Sequence, residues 1–356
     1  MTMPFKQQAD YSNRNLTVDI AKGYSILLVA VYHSQLREQA AFLFESMGVF
    51  RLPLFFFVAG VFFNYHKPLN QFVSHKASAL LKPYFVTLFL LFIAALLLGD
   101  DVSQWSLWGI FYGNGETLYW TPFWFLPHLF AIYLFSFVVC RLMDFDQRPL
   151  LLKWSVVISL FLVGLWVLPL FWMQPVHIGE YSFVIPGLPF SLDVVLLSTS
   201  FFLAGRILYP LIRQFKPYWL LILLAVISLV AVTLHSQALT DLNFRIFRDP
   251  GFALLGAASG IYLILSLSYW TQKSPLNHTL LIIGQSTLFI LLFHSFTRHL
   301  LNKLYYALNI DGTLLLPALF SFVCSVVVPI LIRQFVVRTH WFEPLFLPNK
   351  KLRQAT

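Results

Sequence analysis

Three ionisable residues, Asp19, Lys22 and His33, stand in the otherwise apolar run VDIAKGYSILLVAVYHSQ. An imidazole changes charge near neutral pH and can take a proton from a hydroxyl, so His33 is a candidate general base. Asp19 and Lys22 are spaced i, i+3, the spacing of an ion pair on one helix face. At 1.5 Å per residue His33 lies about 21 Å beyond Asp19, and at about 100° per residue the three share one stripe. Each also has a plainer reading. His33 can be a histidine satisfied at an interface, and the Asp19–Lys22 pair can serve only to seat the helix end, with a binding role for Lys22 as the alternative.

Other apolar runs carry chemistry-bearing residues at matching depth. Arg51, Trp124, His128, Asp193 and His294 fall near the level of His33, forming one polar layer. A histidine near a basic group and a carboxylate can act on a hydroxyl, with the cation stabilising developing negative charge. Asp19 is too far along the helix to orient His33, which leaves Asp193 or Glu116 for that role, Asp193 being preferred. A second layer lies at the level of Lys22, where SHKASALLKPYF brings Lys76 and Lys82 beside Lys67 and His66. These cations suit an anionic ligand or anionic lipid.

The elements that position these layers must be membrane helices. Hydrophobic residues make up 58% of the 356, charged residues only 11%, and mean hydropathy is +0.74, so a soluble domain is excluded. The net charge of +9 comes without a basic run or RNA-reading motif, which argues against a nucleic-acid partner and for membrane topology. Apolar segments at about 15–36, 46–65, 78–98, 118–140, 153–172, 187–209, 217–236, 250–270, 278–300 and 313–335 predict an all-α polytopic bundle of about ten spans in one domain over 1–356. The half-span WSLWGIFYG is expected at an interface or as a re-entrant piece. Most basic loop residues, among them Lys6, Arg14, Lys67, Lys76, Lys82, Arg141, Arg206, Arg213, Lys216, Lys350 and Lys351, fall on the side of the termini, while Arg37, Arg51, Arg245, Arg248, Arg298 and Lys303 fall on the other with Asp100, Asp101, Glu116 and Glu180. The positive-inside rule therefore makes both termini cytoplasmic. Cys140 and Cys324 lie in apolar stretches without metal-ligand spacing, and no metal site is expected.

Five stretches in order, LTVDIAKGYSILLVAVYHS, FRLPLFFFVAGVFF, HKASALLKPYF, FWFLPHLF and IGQSTLFILLFHSF, resemble the acyltransferase-3 family of integral membrane O-acyltransferases, closest to its fucose 4-O-acetylase-like branch. The resemblance covers nearly all the spans. It implies transfer of an acyl group, most often acetyl from acetyl-CoA, to a hydroxyl of an extracytoplasmic glycan, by a protein of a prokaryotic inner membrane. The family's first-helix histidine falls on His33, which makes it the implied catalytic base; Arg51 as oxyanion stabiliser and Asp193 as orienting carboxylate are the catalytic partners the chemistry of the layer suggests. The family's Phe-His-Met-Pro motif reads Phe50, Arg51, Leu52 and Pro53 here, so an arginine replaces a histidine. The basic pair before the third span is reduced to Lys76 and a displaced Lys82, with Ala79 between; with Lys22 they are the expected acyl-CoA contacts. Trp124, His128 and His294 are the expected substrate-lining residues. A secondary transporter or flippase for a glycan or lipid precursor is the competing reading, weakened by the absence of an internal repeat.

Overall fold

The computed structural model describes residues 15–99, 102, 107–235 and 238–348. Lys6, Arg14, Asp100, Asp101, Lys350 and Lys351 lie outside them. Each of the ten expected segments coincides with helix. These are α1 (Leu16–Tyr32), α2 (Ala41–Val61), α3 (Leu69–Lys76) running through a π turn into α4 (Lys82–Leu97), then α6 (Phe125–Leu142) and α7 (Leu150–Val167). They continue with α8 (Val195–Arg213), α9 (Trp219–His235), α10 (Pro250–Thr271), α11 (Asn277–Gln285) joined to α12 (Thr287–Ala307), and α13 (Leu315–Arg338). The half-span contains a six-residue helix, α5 (Leu107–Tyr112), and a short α14 (Glu343–Phe346) closes the described chain.

Among the described residues, seven helices are long and apolar enough to cross a bilayer, and the α11–α12 pair makes an eighth if its 81° bend is counted within one span. The remaining expected spans include α1 and α9, which at 17 residues each rise about 25 Å, at the short end of what crosses a hydrocarbon core of about 30 Å. Two short antiparallel hairpins were not foreseen: β1 (Trp172–Ile178) with β2 (Tyr181–Pro186), and β3 (Leu239–Asp241) with β4 (Ile246–Arg248).

The bundle closes around α1, α2 and α8. Where α2 and α8 cross, a Cβ on Gly60 would collide with the Phe202 carbonyl oxygen, and one on Gly205 with that of Phe57. Only glycine permits so close a backbone approach. The same device joins α1 to α11, since a Cβ on Gly23 would stand 2.5 Å from the Leu280 carbonyl oxygen and one on Gly284 2.6 Å from that of Asp19. The core between them is aromatic: Phe56, Phe123, Phe202 and Tyr84 are fully buried, and Phe56 stacks on Phe125 with ring centroids 5.5 Å apart.

Candidate active site

The polar end of α1 opens into a cavity of about 580 Å³. α1 stops at Tyr32, and His33 follows as its C-cap with φ −90° and ψ 3°. His33, Arg51, Trp124, Asp241 and Arg298 line the cavity together. Neither ring nitrogen of His33 has a hydrogen-bond partner among the described residues, and the ring is only partly buried, facing the cavity. Its ring centroid lies 5.5 Å from that of His294.

His294 is differently held. Its Nδ1–H donates to the Ile290 carbonyl at 2.8 Å, so in the neutral ring Nε2 carries the lone pair, and Ser295 Oγ stands 3.1 Å from it. Its tautomer is thus fixed by the backbone, and its second nitrogen is occupied by Ser295.

Arg51 is buried at 5% exposure, on α2 two residues before Pro53. Its guanidinium carbon stands 3.3 Å from the centroid of the Tyr32 ring, while Nε and Nη1 have no hydrogen-bond partner. Arg298 Nε, from α12, is likewise buried without a partner. With Arg37, three guanidiniums line one cavity, and the unspent donors of Arg51 and Arg298 suit a group that carries or develops negative charge.

Two carboxylates line this cavity, Glu38 just after α1 and Asp241 at the end of β3, and no sequence signal singled out Asp241. Burial pushes its carboxyl above the ordinary range, while the charge of Arg51 and the amides of Phe244 and Asn243 act in the opposite sense. The expected partner of His33, Asp193, is engaged elsewhere. Arg245 donates Nε to Oδ2 at 2.7 Å and Nη2 to Oδ1 at 3.0 Å, and Oδ1 also accepts the Leu188 amide at 3.1 Å. Asp193 does not line the cavity, and Glu116, exposed on the loop after α5, does not either. His128 is also withdrawn. Fully buried, it sits with Nε2 2.8 Å from Ser198 Oγ and Nδ1 3.3 Å from the Phe190 carbonyl, behind Trp124, whose ring it meets at 5.2 Å. Trp124 itself reaches the cavity; His128 supports it.

Beneath lies a second, apolar cavity of about 240 Å³. Phe55, Phe125 and Leu291 line both cavities and divide them, the two rings packed edge to face at 4.6 Å. At its other end stands Lys22, paired with Asp19 at 2.8 Å as the spacing predicted. Lys76 packs its ammonium 3.5 Å from the centroid of the Tyr133 ring, and Tyr133 lines this same cavity. Lys82 does not face it. Its ammonium donates to the carbonyls of Pro344 and Leu347 at 2.6 and 2.7 Å, tying down α14 and spending two of its three donors away from the passage.

No curated protein and no solved structure matches the chain. A family model for an acyltransferase domain matches residues 15–334, from the N-cap of α1 almost to the end of α13. That span holds every residue of both cavities, and the chain belongs to the acyltransferase-3 family of membrane acyltransferases.

Proposed function

We propose that the protein moves an acyl group, most simply acetyl, from acyl-CoA on its basic face to a hydroxyl of a glycan on the opposite face. The basic face is then cytoplasmic, in a prokaryotic inner membrane, as the loop charges favour. The observation that carries this reading is the stacking of two cavities end to end, apolar below and polar above, across Phe55, Phe125 and Leu291. The lower one suits an uncharged thioester arm and the upper one a polyhydroxylated acceptor.

His33 takes the acceptor's hydroxyl proton as the oxygen attacks the thioester carbonyl carbon. Arg51, with donors unspent, stabilises the resulting oxyanion. When the carbon–sulfur bond breaks, the leaving thiolate takes the proton back from the His33 imidazolium, giving ester and free thiol. His294, buttressing His33 from α12, limits the rotation of its ring.

Membranes carrying the protein and incubated with labelled acetyl-CoA should pass label into polysaccharide. His33→Gln keeps size and hydrogen bonding without basicity, and should reduce turnover about 10²- to 10⁴-fold at equal membrane abundance. Near-normal transfer by His33→Gln would remove the base assignment. Absence of transfer by the parent protein under every acyl donor would favour the transporter reading.

A further inference from the structure

A third cavity, of about 970 Å³, opens on the basic face between the start of α1, the end of α2 and the ends of α8 and α10. Nothing in the transfer step uses it. Its walls combine three chemistries. Arg213, in the last turn of α8, and Lys216 beyond it supply positive charge, and no Asp or Glu lines the cavity. Among the described residues neither cation enters an ion pair. Phe62 and Tyr209 supply ring faces, their centroids 5.9 Å apart at an interplanar angle of 69°. The first turn of α1 and Gln272 supply amides and a hydroxyl, Thr17 Oγ1 donating to Gln272 Oε1 at 3.4 Å.

Those chemistries match the parts of a phosphorylated nucleoside. Cations beside the N-terminus of a 17-residue helix favour phosphate. Ring faces favour a purine, and side-chain amides favour its polar edge or the ribose. A phospholipid headgroup would engage the cations alone and leave the aromatic and amide walls unused.

Position adds the second argument. Phe62, in the wall of this cavity, touches a residue of the apolar passage: the Lys22 ammonium sits 5.1 Å from the centroid of its ring, and Lys22 lines the passage. A nucleotide here would lie one side chain from the route toward His33. Lys82, by contrast, is committed to backbone carbonyls.

We infer that this cavity is an adenosine-phosphate subsite holding the nucleotide end of the donor, with Arg213 and Lys216 on its phosphates and Phe62 and Tyr209 against its base. The inference rests on the acyl-CoA reading above and moves nucleotide recognition away from Lys82.

Two readouts on the purified full-length protein test it. The first is equilibrium binding of adenosine 3′,5′-bisphosphate. The second is the preference, as kcat/KM, for acetyl-CoA over S-acetyl-pantetheine, which lacks the nucleotide. Arg213→Gln with Lys216→Gln should weaken bisphosphate binding about tenfold or more and reduce the preference by a similar factor. Tyr209→Leu, which changes no charge, should weaken bisphosphate binding without altering displacement by inorganic phosphate. Should the double variant fail to reach the membrane, Lys216→Gln, exposed beyond α8, carries the same comparison. Unchanged binding and preference in these variants would overturn the subsite. Displacement of bisphosphate by an equal concentration of inorganic phosphate would also overturn it, since a site for phosphate alone, as on a lipid headgroup, does not read the base. If no acyl transfer occurs from either donor, the transfer reading fails, while bisphosphate binding still decides the cavity.

Discussion

Removing either partner of the Asp193–Arg245 pair should unfold the protein more than it slows the reaction. The two side chains are 0% and 1% exposed and share two hydrogen bonds, at 2.7 and 3.0 Å. Arg245→Met would leave the Asp193 carboxylate with one described donor, the Leu188 amide at 3.1 Å. It would also release the Asn243 carbonyl, which Arg245 Nη1 holds at 2.6 Å, and the packing of the guanidinium on Trp172. An uncompensated buried charge costs about 3–5 kcal/mol, and each 1.4 kcal/mol is tenfold in the folding equilibrium, so the folding equilibrium constant falls by about 100-fold or more. Asp193→Asn with Arg245→Met strands no charge and should recover at least half of that loss. The assay is the fraction of detergent-solubilised protein surviving a heating series, with transfer measured per surviving molecule. A carboxylate that orients a catalytic base would give the opposite pattern. If Asp193→Asn melts like the parent but loses about 10²-fold or more in turnover, the pair is catalytic and the structural reasoning is wrong.

Gly23→Ala should disrupt the contact of α1 with α11, because the new methyl meets backbone oxygen that no side-chain rotation can move; a loss of about 1–3 kcal/mol is expected in the same heating assay, and a parent-like profile would refute it. Lys82→Met should lower heat resistance by loosening α14 and leave the acyl-CoA concentration dependence of surviving protein within about twofold; a large rise in KM at parent stability would restore Lys82 to the donor site. Asp146, on the loop between α6 and α7, should contribute acid-sensitive stability. Burial alone would raise its carboxyl, but the hydrogen bond and charge of Arg206, with hydrogen bonds from His66 and Tyr65, outweigh burial and hold it below the ordinary range. A depressed folded value stabilises the native state above the unfolded value of about 3.9, and that contribution is lost as pH falls through the lower folded value. Asp146→Asn should therefore flatten the acid limb of a pH–stability curve; an unaltered limb would show that the cluster is not coupled to folding.

The helices were legible because apolar length is a local property, and so was the Asp19–Lys22 pair, whose partners are three residues apart. Depth was legible as well, since a helix converts residue number into height, and that brought His33, Arg51 and Trp124 to one cavity. Lateral position was not. Arg245 reaches Asp193 across 52 residues and the Pro344 carbonyl reaches Lys82 across 262, and nothing in either local run announces the partner. Asp241 escaped notice because it ends a three-residue strand in a polar loop, with no periodicity to mark it. The preference for Asp193 followed from its depth in an apolar run, but a buried carboxylate needs a cation as much as a catalytic one does, and depth alone cannot tell the two apart.

The distance between Lys22 and His33 is the ruler of the site. α1 is continuous from Leu16 to Tyr32, so eleven residues fix the rise between the two at about 16 Å, and an unbroken helix cannot be stretched. Two contacts hold that ruler against the bent α11–α12 pair. Gly23 and Gly284 bring the backbones together at the level of Lys22, and the His33 and His294 rings meet at the level of the upper cavity. The 81° bend between Gln285 and Thr287 lies between these contacts, and Gly284 and Thr287 on either side of it line the apolar passage. A straight helix would place close-packed backbone where the passage runs; breaking it there opens the wall while both contacts persist. What α1 fixes is thus a length, and under the proposed transfer a carrier reaching from Lys22 to His33 would have to match it whatever acyl group it bears.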